Sequence, residues 1–229
     1  MSDFNDIGIP RQLDWPRVRK LLTIGVFGAL LHLAGDLILG WGVEDESLTG
    51  LFRMLSAYTA TSDGGILASA LLGLSGMTLE GLSFFGVYRL MAEKFPRDAH
   101  RYRSGILGYL IFGACGFHVP TCVLVFLGKQ GLPEETLAKF ALYFLLPATA
   151  LFWVFFLLLA VTQIAAFAKG YTPYPGWCWV FSPLVGGLAA QALGFLGNLP
   201  ALNAIACAWL AIGCLWMFGG LLCLCGKAR

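Results

Sequence analysis

The sequence predicts an all-α integral membrane bundle of about six transmembrane helices, with both termini cytoplasmic. Three observations lead there. The 229 residues are 58% hydrophobic and 12% charged, with a mean hydropathy of +0.76, and a soluble domain carries about twice that charge fraction. The apolar residues gather in runs long enough to cross a bilayer, which takes ~20 residues. The Lys and Arg residues, finally, are unevenly divided between the two sides that such crossings define.

The spans fall at about 21–40, 65–90, 104–127, 137–168, 177–197 and 201–225, within one domain covering 1–229. The first follows a basic flank as a signal peptide would. It contains His32 and Asp36 and lacks a small-residue cleavage site, so it reads as a retained signal anchor. The loop after it opens with Glu44-Asp45-Glu46, and Leu48, Leu51, Phe52 and Leu55 then recur at helical spacing. That pattern predicts an amphipathic helix over about 47–60, lying on the outer membrane surface or over the bundle as a lid. Asp63 reads as the cap of the second span. The fourth span is long enough to tilt or project. Gly197-Asn198-Leu199-Pro200 separates the last two spans and makes them a candidate hairpin.

Arg11, Arg17, Arg19, Lys20, Arg89, Lys94, Arg97, Arg101, Arg103, Lys169, Lys227 and Arg229 lie on one side of these spans. Arg53, Lys129 and Lys139 lie on the other. Twelve against three predicts that the first side is cytoplasmic. The net charge of +2 is too small to point to nucleic acid. Seven cysteines form neither a CxxC pair nor a disulfide framework, and they read as small apolar packing residues. No phosphate-cradling glycine loop and no Gly-x-Ser-x-Gly elbow occurs.

The candidate site rests on four ionisable side chains inside apolar runs: His32, Asp36, Glu80 and His118. Such groups cost at least ~2.5–3.5 kcal/mol in hydrocarbon and usually face a bundle interior. Small and polar residues share their helix faces. The first span gives Gly25, Gly28, Ala29, His32 and Asp36, and the second gives Ser69, Gly73, Gly76, Glu80 and Ser83. The third gives Cys115, His118 and Cys122. Counted from the span ends at ~1.5 Å per residue, the four ionisable groups and Gln191 fall within a slab on the order of 10–15 Å thick. Asn198, Asn203 and Tyr143 lie toward its outer side and are expected to line the same cavity.

Three kinds of chemistry fit His32, Asp36, Glu80 and His118. They could bind zinc or another divalent metal, do acid–base work on a lipid or small apolar substrate, or relay protons in a carrier. In the acid–base reading, Glu80 and His118 form the reacting pair and Asp36 orients His32. The alternative is structural: a His–Asp pair that satisfies itself, and a Glu80 bonded to a neighbouring helix. Membrane lipids are the expected partners.

The segments LLHLAGDLILGW around His32 and Asp36, LLGLSGMTLEGLSFFGVYRL around Glu80, and GACGFHVP around His118 resemble a group of bacterial multi-pass membrane proteins classed as a domain of unknown function. The resemblance covers most of the chain. It implies a compact helical bundle in a bacterial membrane and no established activity. In style, the buried His and carboxylates are also similar to those of intramembrane sterol isomerases and alkaline ceramidases. That similarity is analogy and carries no residue role.

Overall fold

The structure, a computed structural model, describes residues 13–226. Arg11, Lys227 and Arg229, used above for sidedness, lie outside the described residues. Helix α1 spans Trp15–Gly40, α2 Gly50–Ser56 and α3 Asp63–Ala92. The long helices α4 (Pro96–Lys129) and α5 (Glu134–Ala168) follow. After a 3₁₀ turn at Gly176–Val180 come α6 (Pro183–Gly194), α7 (Pro200–Cys207) and α8 (Trp209–Leu224). No strand occurs among the described residues.

Local chemistry sets the helix starts. The Asp14 carboxylate accepts the Arg17 amide at 3.0 Å, with Pro16 in the first turn of α1. At α3 the cap is Ser62, whose hydroxyl accepts the Gly65 amide at 3.0 Å. Asp63, expected to be the cap, is the first helical residue and pairs with Lys129 Nζ at 3.0 Å. A serine one position earlier satisfies the amides, which frees the carboxylate for a cation.

Helices α1, α3, α4 and α5 are long and apolar enough to cross a membrane. Taken as one span bent by 65°, α7 and α8 make a fifth. The remaining expected crossing, 177–197, contains a helix of only 12 residues. That is about 18 Å at 1.5 Å per residue, against a hydrocarbon core of about 30 Å. The Ser182–Pro183 start cuts this helix short: the Ser182 hydroxyl accepts the Leu184 amide at 3.3 Å. A hydropathy window does not register such an interruption.

Helices α1 and α3 run antiparallel with their backbones in contact. A Cβ on Gly28 would lie 2.9 Å from the Gly76 carbonyl, and one on Gly76 would lie 2.5 Å from the His32 amide nitrogen. One on Gly35 would meet the Ser69 carbonyl at 2.9 Å. Membrane helices approach this closely through small residues. Of the glycines read as a shared face, Gly28 and Gly76 form the α1–α3 seam, together with Gly35, whereas Gly25 meets the Phe218 ring of α8 and Gly73 meets His118 of α4. The aromatic core lies beside it. Phe84, Tyr102, Tyr109, Phe152, Phe156 and Phe218 are fully buried, and Phe117, Phe152 and Phe156 stack in a row.

Helix α4 winds as a π-helix from Tyr109 to His118. Its buried positions there, Tyr109, Gly113, Ala114 and His118, recur every four to five residues. An α-helix would repeat every three to four. The wide turns precede Pro120, which offers no amide to the carbonyl four residues back and crowds it. Ala141–Leu145 of α5 is a second π-helical stretch, and Pro147 follows it at the same offset. The winding corrects the face expected for the third span. His118 and Cys122 are buried, but Cys115 is exposed.

Residues 41–62 fold over one end of the bundle. Helix α2 is shorter than the predicted 47–60 element, and Leu55 anchors it in a cluster with Leu124, Val125 and Leu137. Asn198 holds the Glu44 backbone at both ends, donating to its carbonyl at 3.0 Å and accepting its amide at 3.1 Å. Asn203 donates to the Gly42 carbonyl at 2.8 Å, and Lys129 donates to the Thr61 carbonyl at 2.6 Å.

Candidate functional site

The π-helical stretch puts Tyr109 and His118 on one side of α4, facing the α1–α3 seam. Four residues apart on α1, His32 and Asp36 are neighbours, with His32 Nε2 3.2 Å from Asp36 Oδ2. The other ring nitrogen of His32, Nδ1, lies 3.2 Å from Glu80 Oε1 on α3. The Tyr109 hydroxyl donates to the second Glu80 oxygen. Across the seam, His118 Nδ1 lies 3.5 Å from Asp36 Oδ1, and His118 Nε2 lies 3.0 Å from the Ser69 main-chain carbonyl. The two imidazoles meet edge to face with centroids 5.5 Å apart. Asp36 thus bridges the two histidines.

Glycine makes the site possible. A Cβ on Gly73 would lie 1.9 Å from His118 Nε2, so the imidazole occupies the space a side chain would fill. The same absence exposes the Ser69 carbonyl to the ring.

All four ionisable groups are nearly buried: Glu80 is 0% exposed, His32 2%, and Asp36 and His118 5% each. His32, Asp36 and His118 form part of the wall of a cavity of about 330 Å³. Its other walls are Leu39, Phe117, Trp209 and Leu210, with Met54, Ala57 and Tyr58 from the 41–62 segment. Glu44, Thr121, Gln191, Asn203 and Cys207 supply further polar groups. Met54 is 63% exposed, so the lining grades from the surface to the buried cluster. The volume falls within the ~300–1,000 Å³ typical of small-molecule sites.

The structure brings His32, Asp36 and His118 together with one ligand atom of each within 4.8 Å of the others. Glu80 is outside that group and does not line the cavity. Its carboxylate sits behind His32, held by Tyr109. Glu80, paired with His118 as acid and base in the sequence reading, lies against His32 and Tyr109. Of the two, Asp36 is the carboxylate that lines the cavity, and Glu80 contacts His32 from behind it. Gln191 and Asn203 lie in the cavity wall, and Gln191 also donates to the Ala206 carbonyl at 2.9 Å beside the break between α7 and α8. Asn198 stands one step back, accepting from Asn203 Nδ2 at 2.8 Å. Tyr143 is 67% exposed and is not in the cavity wall. Its placement rested on depth, and depth does not fix the direction of a side chain.

Tyr109, Ser69 as a main-chain acceptor, and the lining residues Tyr58 and Trp209 were not singled out in the sequence. Pro120 is the one available signal for Tyr109, because it marks the helix in which α-periodicity fails.

Residues 4–228 match a family of unknown function (DUF6796), and the chain belongs to it. Comparison with curated proteins and with solved structures finds no match. The long apolar helices fit a membrane protein, here one with a buried His/Asp/His cluster.

Proposed function

We propose that this protein is an intramembrane enzyme that acts by acid–base or metal-assisted chemistry on a lipid or small apolar substrate. The observation that carries this reading is the floor of the cavity. Two imidazoles and a carboxylate converge there, nearly buried, beneath walls of Leu39, Phe117, Trp209 and Leu210. Apolar walls over a few convergent polar groups are the usual form of a small-molecule site. His32, Asp36 and His118 are the groups that would touch substrate. Glu80 and Tyr109 are positioning residues that fix the His32 ring. The protein would reside in a bacterial cytoplasmic membrane with the 41–62 segment outside, as the uneven Lys and Arg distribution favours.

The test is lipid mass spectrometry on nanodiscs holding the purified full-length protein and a bacterial total lipid extract. The wild type is expected to deplete one lipid class with appearance of a product, and Asp36→Asn is expected to leave it intact. An unchanged lipid profile over prolonged incubation with folded wild type would overturn the enzymatic reading.

A second reading, a proton-coupled carrier or lipid transporter, draws on a different observation. Helices α7 and α8 are bent by 65°, and Asn203, Ala206, Cys207 and Trp209 around the break line the cavity. Broken helices at a midplane site are common in transporters. Ligand-driven proton movement across proteoliposomes without chemical conversion would favour it.

A further inference from the structure

We propose that His32 Nε2, His118 Nδ1 and the carboxylate of Asp36 bind one divalent metal ion of the zinc class, with a remaining coordination position turned toward the cavity. This deepens the reading of that cavity as the functional site and chooses metal-assisted chemistry for it.

The distances suit such an ion. Ligand atoms about 2.0–2.1 Å from zinc lie about 3.3–3.4 Å apart across a tetrahedral angle. Asp36 Oδ2 lies 3.2 Å from His32 Nε2, and Asp36 Oδ1 lies 3.5 Å from His118 Nδ1. One ligand atom from each of the three residues falls within 4.8 Å of the others, against the ~4.2 Å that two such bonds can span, so a small inward movement of the two imidazoles completes the site.

The hydrogen bonds behind the ligands point the same way. A main-chain carbonyl only accepts, so the contact between His118 Nε2 and Ser69 at 3.0 Å puts the proton on Nε2. In a neutral imidazole the Nδ1 lone pair then faces the Asp36 carboxylate, and two electron-rich groups do not face each other at 3.5 Å without a cation or a proton between them. His32 has the complementary arrangement: Nδ1 lies against Glu80 and leaves Nε2 directed at Asp36. Metal-bound histidines almost always donate their second ring N–H to a carboxylate or a main-chain carbonyl. Here one histidine has the first partner and the other has the second.

Charge balance is the third argument. Asp36 and Glu80 are two carboxylates in an apolar bundle, and among the described residues neither pairs with Lys or Arg. Two neutral imidazoles, two carboxylates and one dication sum to zero, which suits a low-dielectric interior. His32, Asp36 and His118 all face the cavity, so a ligand entering there reaches the open position without displacing a protein group. A catalytic zinc with three protein ligands has this form.

The test uses the full-length protein in detergent, stripped with chelator and then titrated with Co²⁺ and with Zn²⁺. One ion per chain is expected, and the Co²⁺ form should show the visible bands of a four-coordinate nitrogen–oxygen site. Asp36→Asn and His118→Ala are expected to weaken binding at least 100-fold, and Glu80→Gln about 10–100-fold through the His32 ring. Cys115→Ser and Cys223→Ser, both at exposed thiols, should leave affinity unchanged. If a ligand variant does not fold, the wild-type Co²⁺ spectrum decides alone. A sulfur-to-cobalt charge-transfer band, substoichiometric metal, or unchanged affinity in both Asp36→Asn and His118→Ala would overturn the proposal. Lipid turnover by stripped protein would refute the metal while leaving the enzyme. Stoichiometric metal without turnover would do the reverse.

Discussion

Gly73→Ala is the sharpest perturbation of the site, because it adds one carbon and removes nothing. That carbon would lie 1.9 Å from His118 Nε2, and 3.4 Å is where ordinary contact begins. The ring must therefore withdraw by about 1.5 Å, or α3 and α4 must separate. Either response breaks the bond to the Ser69 carbonyl, now 3.0 Å. Overpacking costs ~1–3 kcal/mol and a stranded buried polar group another ~1–3 kcal/mol. Removing a helical glycine returns up to ~1 kcal/mol. The net loss is expected at ~1–5 kcal/mol, read as a fall in melting temperature in detergent. A shift of 1.5 Å also far exceeds the ~0.2 Å tolerance of a metal–ligand distance, so metal retention should fall with it. Gly64→Ala is the control, since nothing lies within 4 Å of its added Cβ. Equal melting temperatures and equal metal content in the two variants would refute the packing argument.

Other outcomes follow from the same geometry. Glu80→Gln keeps the side-chain shape, and its amide can still accept from His32 through its oxygen and donate to the Tyr109 hydroxyl through its NH2, so it should melt near wild type. A large loss of melting temperature would mark the buried cluster as structural. Leu51→Asp with Phe52→Asp should expose the 41–62 segment to limited proteolysis while the long helices stay inserted, and unchanged protection would count against docking there. Asn203→Ala removes the bonds to Gly42 and Asn198, both 2.8 Å, and should speed amide exchange in residues 41–45. The Ser47 hydroxyl and amide hold the Asp45 carboxyl below its ordinary value of 3.8. That contribution to loop order is present above pH 3.8 and fades as pH falls below it, so Ser47→Ala should move the Asp45 titration seen by NMR upward. In whole cells and a cysteine-free background, an impermeant reagent should label Glu46→Cys and spare Asp98→Cys. The opposite pattern would reverse the proposed orientation.

Much of the architecture was legible because bilayer physics leaves strong marks. Long apolar runs give α1, α3, α4 and α5, and the ionisable residues within them point to the interior. Gly28 and Gly76 of the glycine stripes lie at the α1–α3 seam, since only small residues allow backbones to touch, while Gly25 and Gly73 make room for side chains of α8 and α4. The limits are equally physical. Hydropathy averages over Ser182-Pro183, so it merges a 3₁₀ turn and a 12-residue helix into one span. An assumed α-period of 3.6 puts Cys115 on the inner face and leaves Tyr109 off it, whereas the π-helical stretch does the reverse. Depth along a span put Tyr143 just to the outer side of the cluster, but its side chain is exposed. Which carboxylate faces the cavity depends on how three helices meet, and no single-helix periodicity contains that information.

X-ray absorption at the zinc edge on the metal-loaded full-length protein decides whether His32, Asp36 and His118 form the proposed metal centre at the cavity floor. The expected shell has two imidazole nitrogens and one or two oxygens at about 2.0–2.2 Å, with the imidazole signal reduced in His118→Ala. A sulfur shell near about 2.3 Å, or a shell of oxygen alone, would contradict it.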